Sequence, residues 1–296
     1  MKSIYQAHIA LLIVAFIYGL NYIVAKDVMA GFLDPREFIL IRVAGASILF
    51  WLTHLFFKGV AIQKRDLFRL AAAGFFGVAA NQILFFEGLD LTTPINASII
   101  MTVNPVLVML LSAILLRDPI RPIRVLGIVL GGTGAVLLIT GGGPVNLMGS
   151  ETHLGNLLIF LNASSYAIYL VIVKPLMAKY PPIQVIKWVF LFGLMFVLPL
   201  GIPEMADTKW TNFPVRIWGS IAFVVMGTTY VAYLFNVFAM KTVTSTTVST
   251  YIYLQPLFAT VLSLWLGVDS LSPVKLMAAF LIFSGVFLVS WRRDRS

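Results

Sequence analysis

Ten apolar runs, separated by short polar or proline- and glycine-containing breaks, dominate the 296 residues. A helix needs about 20 mostly apolar residues to cross a bilayer, so ten helices would use about 200 residues. Charged residues make up 11% of the chain, against about 25% in a typical soluble domain. The runs are continuous, which disfavours an outer-membrane β-barrel. The predicted spans are 8–29, 36–57, 68–89, 95–116, 122–140, 154–174, 182–202, 214–240, 246–267 and 273–291.

This pattern excludes a water-soluble globular enzyme, a disordered chain and a classical nucleic-acid-binding domain. It predicts an all-α integral membrane protein with ten transmembrane helices. Lysine and arginine set the orientation: with the N-terminus inside, inner segments carry 15 of them and outer segments carry 5. The positive-inside rule therefore predicts that both termini are cytoplasmic. We interpret the net charge of +9 as a topology signal rather than a nucleic-acid surface.

The second half of the sequence repeats features of the first. With an offset of 151 residues, Asn104-Pro105 aligns with Gln255-Pro256 without a gap in the surrounding stretch. Near the start of each half the offset is 148, and Tyr18 aligns with Tyr166. Aligned prolines, charges and loop lengths together favour a true internal repeat over a chance match of apolar residues.

Each predicted half contains five helices, residues 1–143 and 144–296. Because five is odd, equivalent helices cross the membrane in opposite directions, and a pseudo-two-fold axis in the membrane plane must relate the halves. Such a 5+5 inverted-topology repeat is typical of secondary transporters, which hold their substrate between the repeats near the midplane.

Several motifs resemble those of one transporter family. Tyr18-Gly19-Leu20-Asn21 in the first helix resembles the aromatic-Gly-x-Asn element of EamA-type transporters, and Arg42 matches the arginine of their second helix. Asn96-Ala97, then Asn104-Pro105 and the acidic Asp118, resemble the later part of the same domain. The resemblance covers both halves. It implies the drug/metabolite transporter superfamily, with ten helices, a central cavity and small-molecule transport.

Arg42 is the charge that the sequence places inside a span, six residues into the second predicted helix and so about 9 Å deep. Charges at such depth are usually paired or face water. Two roles stay open: a structural one, paired with Glu87 or reaching outward to Glu37, or an anchor for a substrate carboxylate. Glu87 is also the candidate for coupling transport to protons, and facilitated diffusion is an equally open alternative.

Other polar residues in the spans have two interpretations each. Asn21 and Asn81 either join helices by hydrogen bonds or line the cavity. Pro105 and Pro256 are interpreted as hinges, because paired interruptions point to a transporter site. Tyrosines deeper than an interface belt suit an aromatic or bulky apolar amino acid, although any single one could simply pack. The cavity candidates are Tyr18, Asn21, Arg42, Asn81, Asn104, Tyr166, Tyr169, Tyr230, Tyr233, Tyr253 and Gln255.

The predicted function is secondary transport of small metabolites across a bacterial inner membrane by alternating access, because no nucleotide-binding P-loop exists in the sequence. The family resemblance points to export of amino acids or related compounds. A nucleotide-sugar-like or other organic-anion carrier and a non-transporting receptor are the alternatives. Three dispersed histidines and no cysteine argue against an enzyme, a metal site or a cofactor. The small-residue face of Gly127, Gly131 and Gly134 predicts either close helix packing or a homodimer. The other predicted partners are the substrate and the bilayer.

Overall fold

The computed structural model describes residues 2–116, 122–141, 150–206, 208–239, 242–243 and 251–290, and over those residues all regular structure is helical. Asp118, the glycine-rich segment that joins the predicted halves and the start of the ninth predicted span lie outside them. The helices are α1 (Lys2–Met29), α2 (Pro35–His54), α3 (Lys64–Leu91), α4 (Pro94–Met101), α5 (Asn104–Leu116), α6 (Pro122–Ile139), α7 (Glu151–Lys179), α8 (Pro182–Met205), α9 (215–239), α10 (Gln255–Trp265) and α11 (Pro273–Ser290).

Seven helical segments of the described chain are long and apolar enough to cross a membrane, and α6 and α11 are shorter apolar helices. The chain is therefore built as a multi-pass membrane protein, while the count of ten spans and the side of the termini stay predictions. Prolines begin many of the helices, because an N–H in the first turn has no intrahelical acceptor and its loss costs little. Pro122, Pro182 and Pro273 are the first residues of α6, α8 and α11, and Pro214 is the cap of α9.

Two helix interruptions lie at positions that the sequence repeat makes equivalent. Turns at residues 102–103 and 253–254 precede α5 and α10. Pro105 and Pro256 are consequently the second residues of new helices, where a proline is tolerated, and do not kink a continuous helix. The side chain of Asn104 donates to the carbonyl of Ala163 on α7, with an Nδ2–O distance of 3.2 Å.

Wide π-helical turns occupy a second pair of equivalent positions. They cover Phe75–Ala79 in α3 and Phe223–Val231 in α9, and their starts are separated by the 148-residue offset. Each packs against a glycine of the opposite half: a Cβ added to Gly193 would lie 2.5 Å from Cβ of Val78, and one added to Gly45 would lie 2.7 Å from Val225 Cγ1. The glycines give the wide turns the room that they need.

The most extensive helix pairings are preserved when the two halves are exchanged. Helix α3 packs on α7 as α1 packs on α9, and α7 packs on α5 as α1 packs on α10. Helices α2 and α8 pair with each other across the halves, as do α6 and α11.

The small-residue face of α6 is used within the chain. A Cβ on Gly285 of α11 would lie 2.5 Å from the carbonyl oxygen of Gly127 and from the amide nitrogen of Gly131. Gly134 also faces α11, because a Cβ added to it would lie 2.8 Å from the carbonyl oxygen of Ala278. The structure therefore uses this face for close packing of α6 on α11, which is one of the two roles predicted for it. A homodimer stays a prediction.

We expect Gly193→Val to destabilise the fold by about 1–3 kcal/mol, because the added methyls overlap Val78 in a packed interface. The midpoint of thermal unfolding in detergent micelles measures this. Gly219→Val is the matched control, since no described residue outside its own helix backbone lies within 4 Å of a Cβ at Gly219. Equal midpoints for the two variants would contradict the packing that we describe.

Candidate functional site

Arg42 is buried between α2, α9 and α3. Its side chain is 7% exposed, and its Nε donates to Oγ1 of Thr229 at 2.8 Å. Its Cζ lies 5.3 Å from the ring centroid of Phe86. A guanidinium carries five N–H donors, and within the described residues this is its one hydrogen bond and no carboxylate pairs with it. The site therefore holds a buried positive charge whose remaining donors need an acceptor.

The predicted pair between Arg42 and Glu87 is wrong. Glu87 instead pairs with Arg36, with an Nε–Oε1 distance of 3.0 Å, and Arg36 also lies 3.5 Å from Glu204. Arg42 does not reach Glu37 either, because that carboxylate accepts from Thr208 and from the amide of Asp34. Arg36 is the second residue of α2 and lies beside the end of α3, whereas Arg42 lies about 9 Å further along α2. Glu87 is at the rim of the molecule, with its side chain 30% exposed, and its coupling role stays a prediction.

Two tyrosines, Tyr18 and Tyr233, lie within electrostatic range of Arg42, and two more, Tyr166 and Tyr169, extend the group through Tyr233. We call these five residues the tyrosine–arginine cluster. Tyr233 lies within electrostatic range of Arg42 and of the other three hydroxyls. The rings of Tyr166 and Tyr169 are 5.6 Å apart. The cluster draws on α1, α2, α7 and α9, so both halves of the chain contribute to it.

The aromatic-Gly-x-Asn element places two groups of α1 together. Tyr18 and Asn21 are three residues apart, so they share a helix face. Asn21 is 4% exposed, and its Oδ1 has no hydrogen-bond partner among the described residues. Gly19 allows close contact with α10, because a Cβ there would lie 2.5 Å from Phe258 Cβ and 3.2 Å from the carbonyl oxygen of Gln255. Burying an amide oxygen without a donor is costly, so Asn21 offers an acceptor to a ligand.

The remaining amides of the candidate set join helices. Asn81 on α3 and Asn162 on α7 each donate to the other's backbone carbonyl, at 3.5 Å and 2.6 Å. Asn104 bonds α7 in the same way. These are the interhelical hydrogen bonds that membrane proteins use to hold helices together. The candidates Asn81 and Asn104 therefore have hydrogen-bond partners outside the tyrosine–arginine cluster.

Tyr230, Tyr253 and Gln255 are the remaining candidates. The hydroxyl of Tyr230 lies 2.7 Å from Oγ1 of Thr53, near the end of α2. Tyr253 is in the turn before α10, with its ring 6.4 Å from that of Phe283. Gln255 is the first residue of α10.

Sequence reasoning missed Thr229 and Ser165. Thr229 is 1% exposed and accepts from Arg42, and Ser165 donates to the carbonyl of Phe76 in the π-turn of α3 at 2.7 Å. A hydroxyl in an apolar run carries little signal, because serine and threonine can bond their own helix. The offset of 148 residues was one available clue, since it aligns Thr229 with Asn81.

The cluster offers one permanent positive charge and four phenol groups, and Asn21, on the same face of α1 as Tyr18, adds an unpaired amide oxygen. This set can bind an anionic group beside an aromatic or apolar body. No group of three or more metal-ligating side chains occurs in the part of the chain that the structure describes.

Comparison with known proteins gives a consistent result. The model of the EamA-like transporter family matches residues 6–140 and 153–291. The chain is 26% identical over 290 residues to the uncharacterized transporter YyaM of Bacillus subtilis, covering 96% of this chain and 93% of that protein. It is 25% identical over 231 residues to a "Probable terminal-alkyne amino-acid exporter" of Streptantibioticus cattleyicolor, covering 78% and 75%. One solved crystal structure shares the fold with a TM-score of 0.61 and 19% identity, over 97% of this chain and 95% of that one.

We expect Thr229→Val to destabilise the protein by about 1–3 kcal/mol, because it removes the side-chain acceptor of a buried guanidinium while keeping the side-chain shape. Thermal unfolding in detergent measures the change. Thr229→Ser keeps the hydroxyl and is expected to unfold close to the wild-type midpoint. Wild-type stability of the valine variant would argue against this bond.

Proposed function

The chain belongs to the EamA-like transporter family, and we propose that it exports small carboxylate-bearing metabolites, amino acids or related compounds, across a bacterial inner membrane. The observation that carries the proposal is Arg42, a buried guanidinium with one hydrogen bond and no acidic partner in the described chain. An ionisable residue inside a membrane span generally marks a substrate or ion pathway.

A carboxylate satisfies Arg42 better than other small groups do. The planar guanidinium binds a carboxylate through two parallel hydrogen bonds, and a substrate carboxylate would neutralise the buried charge. An α-ammonium group of the same substrate would find the free Oδ1 of Asn21. The rings of Tyr18, Tyr166 and Tyr169 would then contact the side chain of the substrate.

The relatives support transport as the class of activity. Those that match over most of this chain are named as transporters, and one more distant relative is named as an amino-acid exporter. An organic-anion carrier stays the second candidate, because Arg42 alone would also bind an acid without an amine. A nucleotide sugar is less well suited, since its phosphates call for several cations and the tyrosine–arginine cluster offers one.

The proposed mechanism is alternating access. It requires an inverted repeat with halves 1–143 and 144–296, and the proposed orientation has both termini in the cytoplasm. The exchangeable helix pairing and the equivalent interruptions support it. Ion pairs tie the halves together at both ends of the bundle. Asp27 pairs with Arg216 at the predicted outer end, and Asp66 lies 2.5 Å from Lys179 at the predicted inner end. Rocking of the halves would open one of these pairs while the other stays closed.

Arg42→Gln is expected to abolish substrate accumulation in the medium of cells that express the chain, because the variant cannot neutralise a carboxylate. Metabolite profiling of spent medium is the measurement. Arg36→Gln is the matched control, since it makes the same chemical change in a side chain that is 49% exposed and already paired. Full export by Arg42→Gln at equal abundance would rule out the substrate role of Arg42.

In proteoliposomes loaded with L-phenylalanine, counterflow of labelled phenylalanine tests the chemical class directly. We expect 3-phenylpropionate to compete and 2-phenylethylamine to fail, because only the former carries the carboxylate. Arg42→Gln is expected to raise the half-saturation concentration by about 10- to 100-fold, the loss of a charge-assisted hydrogen bond. Equal competition by the acid and the amine would contradict carboxylate recognition. Counterflow of labelled 3-phenylpropionate without counterflow of labelled phenylalanine would instead favour the organic-anion carrier.

A further inference from the structure

A second buried cation lies outside the tyrosine–arginine cluster. Lys187 of α8 is 7% exposed, and its Nζ lies 4.3 Å from the ring centroid of Trp51 and 5.9 Å from that of Trp188. Its ammonium group has no carboxylate and no hydrogen-bond acceptor among the residues that the structure describes. The two indole faces stabilise the charge by cation–π attraction but accept no hydrogen bond from it.

Two more polar groups beside Lys187 lack a partner. The indole Nε1 of Trp51 and the imidazole Nδ1 of His54 are both buried without a hydrogen bond within the described chain. Trp51 and His54 are three residues apart on α2 and so share a face, and His54 lies within electrostatic range of Lys187. An ammonium and an indole N–H can only donate. The imidazole nitrogen of His54 donates or accepts according to its tautomer. The interface therefore presents two obligate donors and a positive charge, and neither donor has an acceptor within hydrogen-bond distance among the described residues.

The position of these groups indicates what could supply the acceptor. His54 is the last residue of α2, and Lys187 is in the second turn of α8, so the site lies at the end that the charge distribution predicts to be cytoplasmic. Leu52, Leu55 and Phe56 flank it with 52%, 77% and 86% of their surface exposed. This apolar surface would lie against acyl chains, with the unpaired donors near the level of the headgroups.

We infer that Lys187, Trp51 and His54 form a binding site for the phosphate group of an anionic phospholipid of the cytoplasmic leaflet. Phosphate oxygens accept hydrogen bonds strongly, and the negative charge compensates the unpaired ammonium. The flexible four-carbon stem of Lys187 lets the ammonium turn from the ring faces toward the phosphate. The site is separate from the tyrosine–arginine cluster, because Trp51 lies nine residues, about 14 Å, along α2 from Arg42.

The test titrates the purified full chain in detergent micelles with dioleoyl phosphatidylglycerol and follows the midpoint of thermal unfolding. We expect a saturable rise with phosphatidylglycerol, a much smaller one with dioleoyl phosphatidylcholine, and none with inorganic phosphate at the same concentration. Lys187→Gln is expected to remove the rise. Lys58→Gln, which removes an exposed lysine from the loop after α2, is the matched control and is expected to keep it.

Three results would overturn the inference. The first is an equal response of Lys187→Gln and wild type to phosphatidylglycerol, and the second is equal stabilisation by phosphatidylcholine. The third is a full response to inorganic phosphate alone, which would mean that the site takes a free anion. If Lys187→Gln does not fold, Trp51→Phe decides. It keeps an aromatic face beside Lys187 but removes the indole N–H, and it is expected to raise the half-saturation concentration about tenfold, whereas no change would overturn the site.

Discussion

Backbone hydrogen bonding in the absence of water is the constraint on which the rest of this structure depends. The described chain meets it with helices, and it departs from regular α-helix at the turns before α5 and α10 and at the two π-turns. Helix α7 takes part in a hydrogen bond at two of these places. Ser165 donates to the carbonyl of Phe76 in a π-turn, and the carbonyl of Ala163 accepts from Asn104 beside an interruption. At these two places, a helix of the other half lies against the irregular backbone and hydrogen-bonds at it.

The two halves have equivalent helices but contribute different side chains to the tyrosine–arginine cluster. Tyr18 and Tyr166 occupy equivalent positions, and both belong to the tyrosine–arginine cluster. Arg42, however, aligns with Phe190 at the same offset of 148 residues. One half thus contributes the charge and the other contributes an aromatic ring at the corresponding place. A substrate in the cluster would meet two unlike surfaces, which orients it although the helices around it are arranged alike.

Much of the fold could be predicted from the sequence, because apolar length, proline position and repeat spacing act along a single helix. The interruptions at Asn104-Pro105 and Gln255-Pro256 belong to this class. The partner of Arg42 does not: depth along α2 suggested Glu87, but the direction in which a side chain points depends on the rotation of each helix. The π-turn of α9 determines that Thr229 faces Arg42. No spacing rule in the sequence reports such a turn, so both the bond and the threonine were missed.

The bond from Arg42 to Thr229 joins residues 187 positions apart, and this separation has a consequence for biosynthesis. A ribosome that adds about 5–20 residues per second needs about 10–40 s to reach Thr229 after it has made Arg42. Throughout that interval α2 must exist without the side chain that accepts from its guanidinium. The nascent arginine therefore has to be solvated by water or lipid phosphate until the second half arrives. Late synthesis of α9 then allows Arg42 to leave that temporary environment for its place in the bundle.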